Sequence, residues 1–256
     1  MFTLSRARKT YQEENGVERV DSLDGQNRLW IREYFVDGKS NGERTVYYSS
    51  IGKCHIKEFY KDGKREGTRT TWHENGQLGV QEYFVEGKAD GKVQSWYDNG
   101  SEMREQFYRS GRPEGTDKIW FMNGTLMSIS RFQDGLRISR RKWHRNGIIE
   151  CIAYFKDGKI NGRHRIWYNN GQYCALKTWN MDRREGEQKF WNEDGTVVHH
   201  EYYYQEKIFP DFKAGSVVFR TLKIRLYTRM MCKRWIKCKI FLISDLTSII
   251  MNMISI

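Results

Sequence analysis

Apolar and polar positions along this chain follow a short, recurring pattern. Segments such as LGVQEYFVEG at 78–87 and KVQSWYDNG at 92–100 are rich in aromatic and β-branched residues, and each is bounded by glycine. They are too short for a stable helix and read as strands. One glycine series, Gly52, Gly76, Gly100, Gly124, Gly147, Gly171 and Gly195, advances in steps of 24, 24, 24, 23, 24 and 24 residues. It divides the chain into seven units: 29–52, 53–76, 77–100, 101–124, 125–147, 148–171 and 172–195. A second series holds Gly38, Gly63, Gly87, Gly111, Gly135 and Gly158, with Asp182 in the seventh unit. A third holds Gly42, Gly67, Gly91, Gly115, Gly162 and Gly186, and the fifth unit is one residue short there, around Ser139. Fixed glycine columns mark turns or places where chains approach closely. The Asn-Gly pairs at the unit ends predict type I′ turns, and Asp-Gly-Lys-x-x-Gly predicts a slightly longer hairpin loop. Each unit is therefore a β-hairpin plus the turn to the next.

The aromatic residues obey the same register. Phe35, Tyr60, Phe84, Tyr108, Phe132, Phe155 and Trp179 stand three residues before the second glycine series or its replacement. Tyr47, Trp72, Trp96, Trp120, Trp143, Trp167 and Trp191 form a second column, in the other strand of each hairpin. Two aromatic ladders bring a large apolar area at low rotamer cost. A lone hairpin is marginal in water, so the units are expected to stack on one another and bury a continuous stripe.

These columns resemble the MORN repeat, and more closely its variant form, known from bacteria and large DNA viruses; EYFVEGKADGKVQSWYDNG at 82–100 is the clearest copy. The resemblance covers residues 29–195 and continues into a half repeat at 196–210, where VVHHEYYYQEK follows the same pattern. It implies an all-β fold, an elongated antiparallel meander of hairpins. With strands about 4.8 Å apart, fourteen in one sheet would extend on the order of 65 Å. Departures fall at Arg131 and Thr178, where a first aromatic is usual, and at Asp182 and Ser139, which points to distortion of units five and seven. Residues 1–28 read as an N-terminal cap or partial repeat.

Composition supports a folded chain: 14% aromatic and 30% charged residues with only 2 prolines exclude disordered, collagenous and polyproline classes. The net charge is +12 over 256 residues, but residues 1–210 hold 35 bases and 30 acids, while 211–256 hold nine bases and two acids. The N-terminus lacks the apolar run of a secretory signal. Five cysteines without a Cys-x-x-Cys pair fit reduced thiols, so a cytoplasmic location is expected, with peripheral membrane attachment through the tail as a possibility.

Candidate chemistry is sparse. A basic row, Lys39, Lys64, Lys88, Arg112, Lys159 and Arg183, follows the second glycine series and would meet phosphates of lipid headgroups or nucleic acid. Asp37, Asp62, Glu86, Asp134 and Asp157 stand beside the same turns and weaken that field. Glu33, Glu58, Glu82 and Glu201 recur at the repeat period, and cross-strand pairing with Lys or Arg accounts for them. His199 and His200 lie near Glu193, Asp194 and Glu201, but neighbouring strand residues face opposite ways, which argues against a metal site. His73 and His144 occupy a repeat column shared with Tyr48 and Tyr97. No nucleotide-binding, hydrolase-elbow or zinc-protease motif appears, so neither catalysis nor a cofactor is expected.

The tail 211–256 combines Lys223, Arg225, Lys233, Arg234, Lys237 and Lys239 with a partly alternating stretch at 217–227 and apolar positions Leu242, Leu246, Ile249, Met253 and Ile256 at helical spacing. It reads as a strand and an amphipathic helix that either cap the array or attach it to an anionic membrane; a spanning helix is disfavoured by Asp245 and Asn252. The reading is a non-catalytic interaction or scaffold protein that binds a protein partner along an aromatic-lined sheet. The alternative is an anion-binding module that meets acidic phospholipids, or less favourably nucleic acid, through the tail and the turn row.

Overall fold

The structure, a computed structural model, describes residues 7–204 and 207–210. The expected strand and helix of 211–256, with Lys223, Arg225, Lys233, Arg234, Lys237 and Lys239, lie outside the described residues. Among those described, 22 strands form one antiparallel sheet in which each hairpin pairs with the hairpins before and after it in the chain. One helical element, the 3₁₀ turn Glu14–Gly16, interrupts the strands. Residues ahead of the first unit also form a hairpin, Ala7–Gln12 against Glu18–Leu23, and Glu18–Leu23 pairs onward with Leu29–Val36.

The third unit shows the plan. Leu78–Val85 runs into a turn, returns as Lys88–Ala89 and Gly91–Trp96, and hands over to Glu102–Arg109 of the fourth unit. The turn types are reversed from the sequence expectation. Asp37-Gly38, with φ of 49° and 72°, sits between the paired residues Val36 and Lys39, which makes this two-residue loop the type I′ turn. At the Asn-Gly ends only the glycine is left-handed. The Gly76 N–H donates to the His73 carbonyl at 2.8 Å and the His73 N–H to the Gln77 carbonyl at 2.8 Å, a three-residue loop closed by a glycine bulge. In the seventh unit Met181 and Asp182 take φ of 52° and 68°, so the tight turn survives without its glycine.

The third glycine column has a backbone reason, because all six glycines take φ between 69° and 102°, in the left-handed region. Gly42, Gly67, Gly91, Gly115, Gly162 and Gly186 lie opposite Tyr60, Phe84, Tyr108, Phe132, Trp179 and Tyr203 of the following strand. The fifth unit lacks that glycine. There Arg137 pairs with Phe132 and sets its guanidinium 5.3 Å from the Phe132 ring and 5.7 Å from the Phe155 ring.

In each of the seven units the register slips immediately before the second-ladder aromatic, at Tyr47, Trp72, Trp96, Trp120, Trp143, Trp167 and Trp191. Such a bulge breaks the two-residue alternation and re-aims the aromatic side chain.

The sheet has two unequal faces. Except for Asp21, Thr45 and Gly79, the buried residues share the face of the first aromatic ladder. Phe84 is buried and the other rungs of both ladders are half-buried. The deepest column lies between the ladders and is largely polar: beside Val20, Glu58, Gln106 and Gln188 are each no more than 2% exposed.

Candidate functional site

The polar column is built by cross-strand register. Glu33 faces Val20, Arg44 faces Glu58, and Arg69 faces Glu82. Arg44 binds Glu33 at 2.7 Å and Glu58 at 2.6 Å; Arg65 and Arg69 reach the other Glu58 oxygen at 2.9 and 3.3 Å; Arg69 binds Glu82 at 2.5 Å. Burial pushes the Glu58 carboxyl up, but the Arg44 hydrogen bond and the charges of Arg65 and Arg44 outweigh it and hold the group below its ordinary 4.5. The glutamate column thus works as an ion ladder, with basic partners on the neighbouring strands. In the fourth unit Gln106 replaces the glutamate; it accepts from Arg104, which also binds Asp117 at 2.7 Å.

The turns are joined from unit to unit. The Tyr48 hydroxyl donates to the Trp72 carbonyl at 2.7 Å, the Tyr97 hydroxyl to the Trp120 carbonyl at 2.8 Å and the Tyr168 hydroxyl to the Trp191 carbonyl at 2.8 Å. His73 Nε2 lies 2.9 Å from the Trp96 carbonyl and His144 Nε2 3.0 Å from that of Trp167, both placed to donate. Asn75, Asn146 and Asn170 donate from their amide groups to the main chain of the next turn. Phe121 occupies this column in the fourth unit and lacks a polar group; Arg145 covers its ring instead, at 5.5 Å.

At the opposite turns the Gly63, Gly87 and Gly111 N–H groups donate to the carbonyls of Ser40, Arg65 and Ala89 in the unit before. These tips carry the predicted basic row. Lys39, Lys64, Lys88 and Arg112 follow one another along one rim, each β-carbon within 4.0 Å of the position a Cβ would take on Gly63, Gly87, Gly111 or Gly135. Leu136 takes the same place before Gly158, so Lys159 and Arg183 are separated from that row.

The two histidines of the last described hairpin do not converge. His199 Nε2 meets Glu201 at 2.9 Å, whereas His200, on the other face, meets Glu187 at 3.1 Å. Cys54, Cys151 and Cys174 carry free thiols. Among the described residues, no helix is long and apolar enough to cross a membrane.

One exposed column has no counterpart among the residues expected from sequence to form a site. Phe59, Tyr83, Phe107 and Tyr154 lie on the less buried face, 39–46% exposed, at successive repeats interrupted by Arg131. The sequence signal was present in the Tyr-Phe pairs, whose first member carries it, but only the face assignment distinguishes the exposed member from the half-buried one.

Hairpins paired in chain order, with their turns bonded across unit boundaries, define a β-repeat array rather than a closed domain. Residues 65–86 match the model of the MORN repeat variant family, and they comprise the return strand of one hairpin, its Asn75-Gly76 turn and the first strand of the next. Residues 65–86 are thus similar to a MORN repeat of the variant type, and the same sequence columns recur in the other units.

Among curated proteins no relative matches the chain. Similar solved structures include a TcdB2-TccC3-Cdc42 complex, with 11% identity, 77% of this chain and 13% of that chain covered, and a TM-score of 0.22. Alternansucrase in complex with isomaltononaose gives 14% identity, coverage of 81% and 16%, and a TM-score of 0.19. CbpJ from Streptococcus pneumoniae TIGR4 gives 13% identity, coverage of 82% and 93%, and a TM-score of 0.13. The chain thus spans less than a fifth of the first two structures' length.

Proposed function

We propose that this chain is a non-catalytic interaction or scaffold module that binds a protein partner along its sheet. The observation that carries this reading is the exposed row Phe59, Tyr83 and Phe107 on three consecutive units. Aromatic residues on a regular surface give contact area at little entropic cost, and their concentration is a mark of association sites. The conspicuous histidines and glutamates also have structural partners within the repeat, which supports a binding rather than a catalytic role. A photo-crosslinking residue placed in turn at Tyr83 and at Phe107 should capture the same protein. The change Phe59→Ser with Tyr83→Ser and Phe107→Ser should abolish complex formation with that protein while leaving the melting temperature intact. Different captured species at the two positions, or undiminished binding by the triple variant, would refute this reading.

The rim of Lys39, Lys64, Lys88 and Arg112 supports a second reading, contact with an anionic membrane surface. Co-sedimentation of the full chain with phosphatidylserine vesicles at low salt, lost on changing these four to glutamine, is the expected result; retention of binding would exclude the rim as its source.

A further inference from the structure

Charge is distributed unevenly among the units. Residues 1–130 hold 20 basic and 20 acidic residues, whereas 131–191 hold 14 basic and 6 acidic. The imbalance reaches the deep polar column. Where the first three units place Glu33, Glu58 and Glu82, units five to seven place Ser130, Ala153 and Lys177. Arg140 faces Ser130 on one side and Ala153 on the other, and His164 faces Lys177.

Lys142 of this stretch pairs with Glu150 at 2.6 Å, but Arg137, Arg140 and Lys177, with the imidazole of His164 beside them, are left without counter-ions. Among the described residues, no carboxylate lies within ion-pair distance of Arg137, Arg140, His164 or Lys177; Asp117, which acts electrostatically on Arg137, is already bound by Arg104 at 2.7 Å. Burial, then the charges of Lys177 and Arg140, push His164 below its ordinary 6.5. Arg137 Nε and Trp179 Nε1 are buried donors without an acceptor on this face; Arg19 Nε and Arg69 Nε lack one too, but their side chains have carboxylates within ion-pair distance. Buried donors ordinarily find partners, and like charges gathered without an acid destabilise the fold unless something else supplies one.

We propose that this face of units five to seven binds an acidic segment of a protein partner, whose Asp or Glu carboxylates occupy the places that Glu33, Glu58 and Glu82 fill in the first three units. The chain itself provides the precedent, because a glutamate carboxylate at this register accommodates two or three guanidinium groups. Spacing defines the segment. Equivalent column positions are two strands apart, about 10 Å, close to one turn of a polyproline II segment, three residues at roughly 3.1 Å each. A segment in that conformation, crossing the strands with an acid at every third residue, keeps its acids on one side and matches the site. This surface is opposite the exposed aromatic row, so each proposal stands or falls separately.

The test uses the full chain and a fluorescein-labelled peptide with glutamate at every third position among serines, followed by anisotropy at physiological salt. Saturable binding is expected, weakened about tenfold or more by Arg140→Gln and by Lys177→Gln, and unchanged by Lys88→Gln on the turn rim. The decisive variant is Ala153→Glu, which restores the ladder from within. It should raise the melting temperature and abolish peptide binding, so that loss of binding cannot be attributed to unfolding. Absence of saturable binding by the unmodified chain would overturn the proposal, as would undiminished binding by Ala153→Glu. Tighter Arg140-dependent binding of phosphatidylserine vesicles than of the peptide would also overturn it, by assigning the site to phosphate.

Discussion

Glu58 shows how a residue only 1% exposed can remain charged, since three arginines on adjoining strand segments surround it. Glu58→Gln would leave those guanidinium groups without a counter-charge, and a loss of about 3–5 kcal/mol is expected in a denaturant titration. The pH dependence has a definite sign. Because the folded-state pKa lies below 4.5, the carboxylate's contribution is present above the unfolded-state value and disappears as pH falls through the folded-state value. Stability of the unmodified chain should therefore fall in acid below the ordinary glutamate range, with a shallower pH slope for Glu58→Gln. The cross-strand pairing of the glutamate column could be read from sequence, because acids and bases recur at the repeat period. The Arg137 wedge could not, because its position depends on a fifth unit one residue short of the others, and only the register shows which rings it meets.

At the level of the hairpin, two kinds of turn do different work. The tight turns need two left-handed residues, so Gly87→Ala, at a φ of 79°, should destabilise by about 1–2 kcal/mol in thermal or chemical unfolding. The longer turns bind the next unit through Tyr, His and Asn side chains. Tyr97→Phe should lower stability by about 1 kcal/mol through loss of its bond to the Trp120 carbonyl. Phe121 offers the reciprocal experiment: Phe121→Tyr introduces the missing hydroxyl and should stabilise by a similar amount. The hairpin repeat was legible in the sequence, while turn type and the separate hairpin ahead of the first unit were not. Asn-Gly and Asp-Gly both satisfy a local type I′ preference, and the paired residues on either side decide the difference, two residues between Val36 and Lys39 but three between His73 and Gln77. The two faces were not legible for a related reason. The bulge before each second-ladder aromatic resets the alternation, so no single parity extends through a unit.

Across the array, each hairpin contacts chiefly its neighbours, and stability is expected to vary along the sheet. Ala7–Gln12 is exposed throughout and pairs on one side among the described strands, so its amides should exchange fastest, with protection rising towards the third and fourth units. Deletion of residues 77–100, one whole period, should preserve a cooperative circular-dichroism melt because Gly76 then meets Ser101 in phase. Removal of only 77–88 should abolish it, because strand direction and face are lost together.

Nearly every side-chain bond that joins the turns shares one asymmetry: the earlier unit supplies the side chain and the later unit answers with its main chain. Tyr48, His73, Asn75, Tyr97, Asn146 and Tyr168 follow this rule, as do Glu66, Asp90 and Glu114 at the tight turns, while Asp182 reverses it. A main-chain group is present whatever residue carries it. A duplicated stretch of one period would therefore be recognised by its predecessor from the moment it arose in the gene, before selection had altered any of its side chains. The chain can lengthen by copying itself, and each copy is then free to diverge on its surface.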